Sequence, residues 1–155
     1  MVKYNVAILG CGAIFSRHML AIKNNPEHFK LVGVYDPIDE LKTKYANELN
    51  VKGYSSEEDA ITDSEVNCIA ILSPNDLHYP QAIAAMANKK HVILEKPATF
   101  LTTQLDELNQ SAQKNGVEIY TVLQVRLNPA VIVAKKALEL GLFGQVRSVS
   151  LVQRW

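Results

Sequence analysis

The stretch that decides the fold is "YNVAILGCGAIF", residues 4–15, in which an apolar run meets a glycine-rich turn. The run is typical of a buried strand, and residues 13–24 then place apolar side chains at roughly helical spacing. A strand, a tight turn and a helix in direct succession predict one βα unit. We therefore expect a strand that ends at Gly10 and a helix that begins just after Gly12.

The same alternation continues along the chain. A second buried strand is predicted over 30–36, and Pro37 precedes a helix that ends near Asn50. Further strands are predicted near 53–54, over 66–72, from 91 and over 117–123, with helices over 55–63, 77–88 and 101–114. Strands that alternate with helices in this way are typical of the α/β class with a doubly wound parallel sheet.

Composition narrows the class of protein. The chain has 155 residues, 48% of them hydrophobic, which suits a globular domain with a real core. Its 16 basic and 16 acidic residues cancel without long runs of either sign, so we expect no binding to nucleic acid or to a membrane surface. Two cysteines, no leader pattern and no apolar run near 18 residues lead us to expect a cytoplasmic protein.

The first turn also carries chemistry. Gly10 and Gly12 match the opening of the dinucleotide fingerprint, although Phe15 stands in place of its third glycine. Gly12 lets backbone N–H groups of the turn, which continues through Ala13 and Ile14, approach a pyrophosphate at the positive end of the helix. Without further support, an ordinary βα turn is an equally good interpretation.

Asp36 favours the cofactor interpretation. It ends the second strand 24 residues after Gly12, where an acid can bind the ribose 2′-OH and repel a 2′-phosphate. An alternative is that Asp36 only caps the next helix. Together with the glycines, however, it predicts a Rossmann domain that binds NAD rather than NADP.

Two later segments are expected at the same crevice, because ligands of open parallel sheets lie beyond the carboxyl ends of the strands. In "LSPNDLHYP", residues 72–80, Ser73 and Asn75 could reach a ribose or the nicotinamide. His78 is a further cofactor-binding candidate, although a histidine in a helix is more often a packing residue than a catalyst. In "HVILEKPATF", residues 91–100, alternation along the strand allows Lys96 to face the nicotinamide while Glu95 contacts ribose or backbone. The histidines show no metal-ligand spacing, so no metal site is predicted.

The end of the chain departs from the βα pattern. Asn128 and Pro129 predict the start of a helix that runs to about Leu140. The segment "QVRSVSLVQRW", residues 145–155, alternates apolar and polar residues, which predicts a strand exposed on one face. We therefore expect a dinucleotide-binding domain over 1–127, and over 128–155 a linking helix and the first strand of a second, antiparallel domain that this sequence does not complete; the resemblance described next implies that this is an absent C-terminal α+β domain.

Taken together, "AILGCGAI", Asp36, "SPNDLH" and above all "EKP" resemble the glucose-fructose oxidoreductase, inositol dehydrogenase and MocA family of NAD(P)-dependent sugar oxidoreductases, over essentially the whole chain. The tract "YTVLQVRLNPAV", residues 120–131, looks like that of dehydrogenases that act on UDP-linked N-acetylglucosaminuronic acid. The resemblance implies that Lys96 is the catalytic lysine, which also meets the substrate. It further implies that Gln124 lies beside the cofactor and Arg126 beside the sugar.

These observations predict an enzyme that transfers a hydride from a sugar carbon to NAD, in a full-length protein that forms a homo-oligomer. Its partner would be a sugar or nucleotide sugar. We expect residues 1–155 alone to bind NAD without catalysis, because the resemblance places the family's catalytic histidine in the C-terminal domain. Two alternatives stay open: a non-catalytic NAD-binding module, and an NADP-dependent sugar reductase, against which Asp36 argues.

Overall fold

The computed structural model of the protein describes residues 4–152. The strands are β1 (Tyr4–Leu9), β2 (Phe29–Tyr35), β3 (Lys52–Gly53), β4 (Cys68–Ile71), β5 (His91–Leu94) and β6 (Ile119–Thr121). The helices are α1 (Phe15–Lys23), α2 (Asp39–Leu49), α3 (Glu57–Thr62), α4 (His78–Ala87), α5 (Thr102–Asn115) and α6 (Pro129–Glu139). Short 3₁₀ helices cover Asn75–Leu77 and Gln124–Leu127. The chain divides into two compact units, of which the first ends at Val122 and the second begins at Leu123.

The first unit is a parallel sheet in the order β3-β2-β1-β4-β5-β6, and every pairing in it is parallel. This is the Rossmann order, so the predicted α/β class with a doubly wound sheet is confirmed. The strand order reverses between β1 and β4. The crevice of such a sheet lies at this switch point, beyond the carboxyl ends of these strands.

Both faces of the sheet are buried in the middle, which explains why the central strands read as unbroken apolar runs. On one face the sheet packs against α3, α4 and α5 through residues such as Ala82, Met86 and Leu108. On the other face it packs against α1 and α2. Phe15, the first residue of α1, packs into the core on this side at 1% exposure, and its ring centroid lies 4.4 Å from that of Tyr45 on α2.

Helix boundaries in the first unit follow from local chemistry. The Ser56 hydroxyl oxygen accepts the Asp59 N–H at 3.0 Å and so caps α3, the helix predicted over 55–63. The helix α5 ends at Gly116, whose φ of +68° is left-handed. The helix α2 ends at Asn50 in the same conformation, with φ +52°.

In the second unit, α6 begins as predicted: the Asn128 side-chain oxygen accepts the Ala130 N–H at 3.0 Å, and Pro129 occupies the first turn. The strand predicted over 145–155 is wrong for residues 145–152, which form no strand and are exposed, while 153–155 lie outside the described residues. A strand is held by ladder hydrogen bonds to a neighbour, and no described segment pairs with this one.

Candidate functional site

A cavity of about 620 Å³ opens in the first unit at the carboxyl ends of β1, β2, β4 and β5, a volume within the usual range for ligand pockets. Its lining comes from the turns that follow these four strands. The predicted site residues that line it are Gly10, Gly12, Ala13, Ile14, Asp36, Ser73, Asn75, His78, Glu95 and Lys96. The fold therefore brings together ten candidates that are spread over nearly 90 residues of sequence.

Gly10 makes the tight turn possible. Its φ is +101°, and a Cβ built on it would lie 2.8 Å from both the carbonyl carbon and the carbonyl oxygen of Leu72. Its N–H donates to the Tyr35 carbonyl oxygen at 2.8 Å. The turn after β1 is thus held against both neighbouring strands, and a side chain at this position would push them apart.

Gly12 has a different role. A Cβ built on it would meet nothing within 4 Å, so this side of the turn is open space. The nine-residue helix α1 begins three residues later at Phe15, and its positive end favours an anionic group in that space. The open approach to the turn and the helix end fit the pyrophosphate of a dinucleotide.

Asp36 is buried at 7% exposure directly after β2. One carboxylate oxygen accepts the Cys11 N–H at 2.7 Å, and the other accepts the Ile38 N–H at 2.8 Å. Each oxygen keeps a further acceptor position. Burial, and secondarily the charge of Asp36, raise the pKa of the Cys11 thiol to about 12, so this cysteine stays protonated. The Asp36 carboxylate can therefore still accept a hydrogen bond from a ribose hydroxyl group.

The segment after β4 is tied down by side chains. The Ser73 hydroxyl donates to the Gln81 Oε1 at 2.6 Å, and the Gln81 Nε2 donates to the Glu57 Oε2 at 2.5 Å. Asn75 lies exposed in the 3₁₀ helix that follows. Sequence reasoning missed this role of Gln81, because its two partners, Ser73 and Glu57, lie in separate parts of the chain.

His78 is 1% exposed, and its two ring nitrogens both face backbone carbonyls. Nδ1 lies 2.7 Å from the Pro97 oxygen, and Nε2 lies 3.0 Å from the Ser73 oxygen. Its polar atoms are therefore engaged with the two loops that flank the cavity. This agrees with the view of His78 as a packing residue more than with a direct cofactor contact.

Glu95 and His18 form a pair that sequence reasoning missed. The sequence shows no acidic partner for His18 at metal-ligand spacing, yet its Nε2 lies 2.8 Å from the Glu95 Oε1, across 77 residues. Both side chains are largely buried, at 14% and 8% exposure. The other Glu95 oxygen accepts the backbone N–H of Lys96 at 3.1 Å.

Lys96 is exposed at the cavity, in the turn after β5, and the peptide bond to Pro97 is cis. Within residues 4–152 its ammonium makes no hydrogen bond and no ion pair. The carboxylate of Glu95 is directed to His18 instead, as expected if the two neighbouring side chains point to opposite sides. The arrangement leaves the amino group of Lys96 available to a bound ligand.

Gln124 and Arg126 belong to the second unit, where both are exposed on the 3₁₀ helix Gln124–Leu127. Their predicted contacts with cofactor and sugar stay predictions. In the part of the chain that the structure describes, no three metal-ligating side chains cluster. No helix of that part has the length and apolar character that crossing a bilayer requires.

Known proteins resemble this chain in sequence and in fold. Residues 4–123 match the oxidoreductase family with an NAD-binding Rossmann fold. The 2,7-anhydro-N-acetylneuraminate hydratase of Escherichia coli is 28% identical over 144 residues, which are 93% of this chain and 38% of that protein. The levoglucosan dehydrogenase of Pseudarthrobacter phenanthrenivorans is 28% identical over 167 residues, covering 100% of this chain and 42% of that protein.

Among solved structures, the WlbA dehydrogenase from Bordetella pertussis in complex with NADH and UDP-GlcNAcA superimposes with a TM-score of 0.87. The two sequences are 27% identical, and the superposition covers 92% of this chain and 44% of the WlbA chain. The chain spans about two fifths of the length of the curated relatives described above, 38% and 42%.

Because the match covers most of the chain, the protein belongs to the oxidoreductase family with an NAD-binding Rossmann fold. The predicted family and the predicted cofactor, NAD, are thereby confirmed. The cavity provides an independent reason for the cofactor, since its open glycine turn and its buried acid are what an NAD molecule requires.

Proposed function

We propose that the protein containing this chain is an NAD-dependent dehydrogenase that oxidises a hydroxyl group of a UDP-linked N-acetylhexuronic acid. The observation that carries the proposal is Lys96, whose ammonium has no partner within residues 4–152 and which lines a cavity that also presents Gly12 and Asp36. Support for the substrate comes from the WlbA dehydrogenase, which was solved with NADH and UDP-GlcNAcA. We place the enzyme in the cytoplasm and expect it to form a homo-oligomer.

The residues that would hold NAD follow from the cavity. Gly12, Ala13 and Ile14 lie where the pyrophosphate would meet the positive end of α1. Asp36 would accept a hydrogen bond from the adenosine ribose and repel a 2′-phosphate, which selects NAD over NADP. Ser73 and Asn75 line the cavity after β4 and would contact the second ribose or the nicotinamide. Bound NAD supplies a hydride acceptor.

Lys96 would handle the proton of the reacting hydroxyl group. Its side chain lies at the end of β5, next to the switch point where the nicotinamide of a Rossmann cofactor is expected. A base must lose its own proton first, and a carboxylate beside it would oppose that loss. Glu95, the acid next to Lys96 in sequence, pairs with His18 rather than with the Lys96 ammonium.

The experiment uses the full-length gene product, NAD and UDP-N-acetylglucosaminuronic acid, with NADH absorbance as the readout and levoglucosan and inositols as competing substrates. Lys96→Ala should lower kcat about 100-fold or more and leave NAD affinity within a few fold, since Lys96 serves proton transfer more than binding. The matched control is Lys114→Ala, which removes an exposed lysine on α5. Unchanged kcat in Lys96→Ala would contradict the proposal.

The alternative function is an NAD-binding module without turnover. It predicts that the full-length protein binds NAD in calorimetry and produces no NADH from any sugar in the panel. For residues 1–155 alone we propose NAD binding without turnover, because a substrate needs a second wall to be oriented and shielded from water. Steady NADH production by this part alone would contradict that statement.

A further inference from the structure

We propose that His18 and His78 are positioning residues for Lys96, acting from opposite faces of the sheet on the two residues that flank it. The inference rests on the proposed function, in which Lys96 handles a proton. Neither histidine needs to touch cofactor or substrate in this role. Each acts through a neighbour of Lys96, His18 through Glu95 and His78 through Pro97.

The need for positioning follows from Lys96 itself. Among the described residues, its ammonium has no partner, and the side chain is exposed. A flexible lysine reaches a defined point only if its backbone is fixed, and misplacement by about 1 Å can slow a reaction roughly 100-fold. The turn after β5 must therefore be held from outside, by elements other than the lysine.

The first restraint comes from α1. His18 Nε2 lies 2.8 Å from one oxygen of Glu95, and the other oxygen accepts the Lys96 N–H at 3.1 Å. One carboxylate thus links a helix to the backbone of the lysine. Glu95 is 6% exposed, so its charge is poorly solvated and depends on these two donors. Loss of His18 would free the carboxylate to reorient.

The second restraint comes from α4. His78 Nδ1 lies 2.7 Å from the Pro97 oxygen, and Nε2 lies 3.0 Å from the Ser73 oxygen. A neutral imidazole has one N–H. Carbonyl oxygens only accept, so a ring with one N–H donates to only one of them, and we assign that N–H to Nδ1 because the Pro97 contact is the shorter. The ring then donates to the residue that follows Lys96, while Nε2 lies beside the Ser73 oxygen without a hydrogen bond to it.

The two restraints are independent because they come from opposite layers. The helix α1 packs on one face of the sheet through Phe15. The helix α4 packs on the other face through Ala82, Ala85 and Met86. The turn that carries Lys96 is therefore held between two rigid layers, and a change in one layer leaves the other in place.

The variants separate each restraint from simple packing. Glutamine can replace the Nε2 donor of a histidine and asparagine the Nδ1 donor. His18→Gln therefore preserves the contact with Glu95, whereas His18→Ala removes it. His78→Asn preserves a donor at the Nδ1 position for the Pro97 oxygen, whereas His78→Gln moves the donor to the Nε2 position, beside the Ser73 oxygen. Each pair changes the same position and differs in the donor that the inference requires.

The first readout needs neither cofactor nor substrate. It is hydrogen exchange of the Lys96 amide in the full-length protein, measured by NMR. We expect exchange at least tenfold faster in His18→Ala than in His18→Gln, because the amide loses an ordered acceptor. Equal exchange in the two variants, with both folded by circular dichroism, would overturn the restraint by His18.

The second readout is the separation of kcat from NAD affinity. We expect kcat about tenfold lower in His18→Ala and His78→Gln, with the NAD Kd within threefold of the unchanged protein. His18→Gln and His78→Asn should each turn over at least fivefold faster than their partner variant. Equal kcat in His78→Asn and His78→Gln, or a loss confined to NAD affinity, would overturn the inference.

The failures of the two proposals are distinguishable. If Lys96→Ala keeps full kcat, the proposed role of the lysine fails, whatever the histidine variants do. If Lys96→Ala loses kcat while His18→Ala and His78→Gln do not, the proposed function stands and the positioning inference fails.

Discussion

Two aspartates of the first unit, Asp63 and Asp36, differ in the groups that donate hydrogen bonds to their carboxylates. Asp63 belongs to a cluster with Lys52, Tyr54 and Glu65, in which the Lys52 ammonium and the Tyr54 hydroxyl both donate to its Oδ2 at 2.8 Å. The Glu65 N–H donates to its Oδ1 at 2.8 Å. Asp36, in contrast, accepts two backbone N–H groups and has no cationic partner among the described residues.

The difference separates a stabilising acid from a binding one. Asp63 is paired with a cation and has little acceptor capacity left, so it serves the fold. Asp36 is buried at the wall of a cavity without a compensating cation among residues 4–152, and such burial costs stability, so we infer that it is kept for binding. Changes at the cavity should therefore affect NAD affinity, and changes in the Asp63 cluster should affect stability alone.

The largest effect is expected at Gly10, which belongs to the cavity and to the fold alike. Gly10→Ala should lower the free energy of unfolding by about 2 to 5 kcal/mol, because a Cβ would collide with the Leu72 backbone in a left-handed conformation. NAD binding should be lost with it. Thermal and urea unfolding measure the first effect, and calorimetry measures the second.

Gly12→Ala is the matched control, since its Cβ would meet nothing within 4 Å. Its stability should stay within about 0.5 kcal/mol of the unchanged protein. NAD affinity should still fall, because the added methyl group occupies the open side of the turn. If Gly10→Ala were as stable as Gly12→Ala, the proposed collision with the Leu72 backbone would be contradicted.

The next effect tests the comparison directly. Asp36→Ala should weaken NAD binding ten- to hundredfold, or about 1.5 to 3 kcal/mol, and narrow the gap to NADP. Calorimetry with both cofactors gives these values. Asp63→Ala is the control and should leave NAD affinity within twofold. Unchanged NAD affinity in Asp36→Ala would rule out the ribose contact.

The smallest effect concerns Asp63. The hydrogen bond from Lys52 is the main cause that lowers the pKa of Asp63 from 3.8 to about 2. Because the folded pKa is the lower one, the stabilisation is complete above about pH 4 and is lost as the pH falls through 2. Asp63→Asn should therefore cost about 1 kcal/mol at neutral pH and progressively less as the pH falls from about 4 through 2.

Urea unfolding between pH 7 and pH 2 measures this difference. The gap between the unchanged protein and Asp63→Asn should hold down to about pH 4 and then close. A gap that widened as the pH fell would mean that protonated Asp63 is the stabilising form. The pH dependence of stability in Asp36→Asn can be compared with that in Asp63→Asn, because the partners of Asp36 are backbone N–H groups rather than a cation.

Local patterns in the sequence were enough for the elements of the first unit. Gly10 and Gly12 predicted the turn after the first strand, Pro37 predicted the start of a helix, and the apolar run over 66–72 predicted a strand. Such features depend on neighbours within a few residues, so they are readable without the fold. The strand predicted after 145 shows the limit of this reasoning: an alternating pattern permits a strand, but only a neighbour forms one.

The sequence by itself determined the βα alternation and placed Asp36 and Lys96 at strand ends, because period and spacing are properties of the chain. The tertiary structure alone decided which side chains meet there. His18 and Glu95 are 77 residues apart, and His78 and Pro97 are 19 apart. Such pairs exist because parallel strands bring their carboxyl ends to one edge, whatever their distance in sequence.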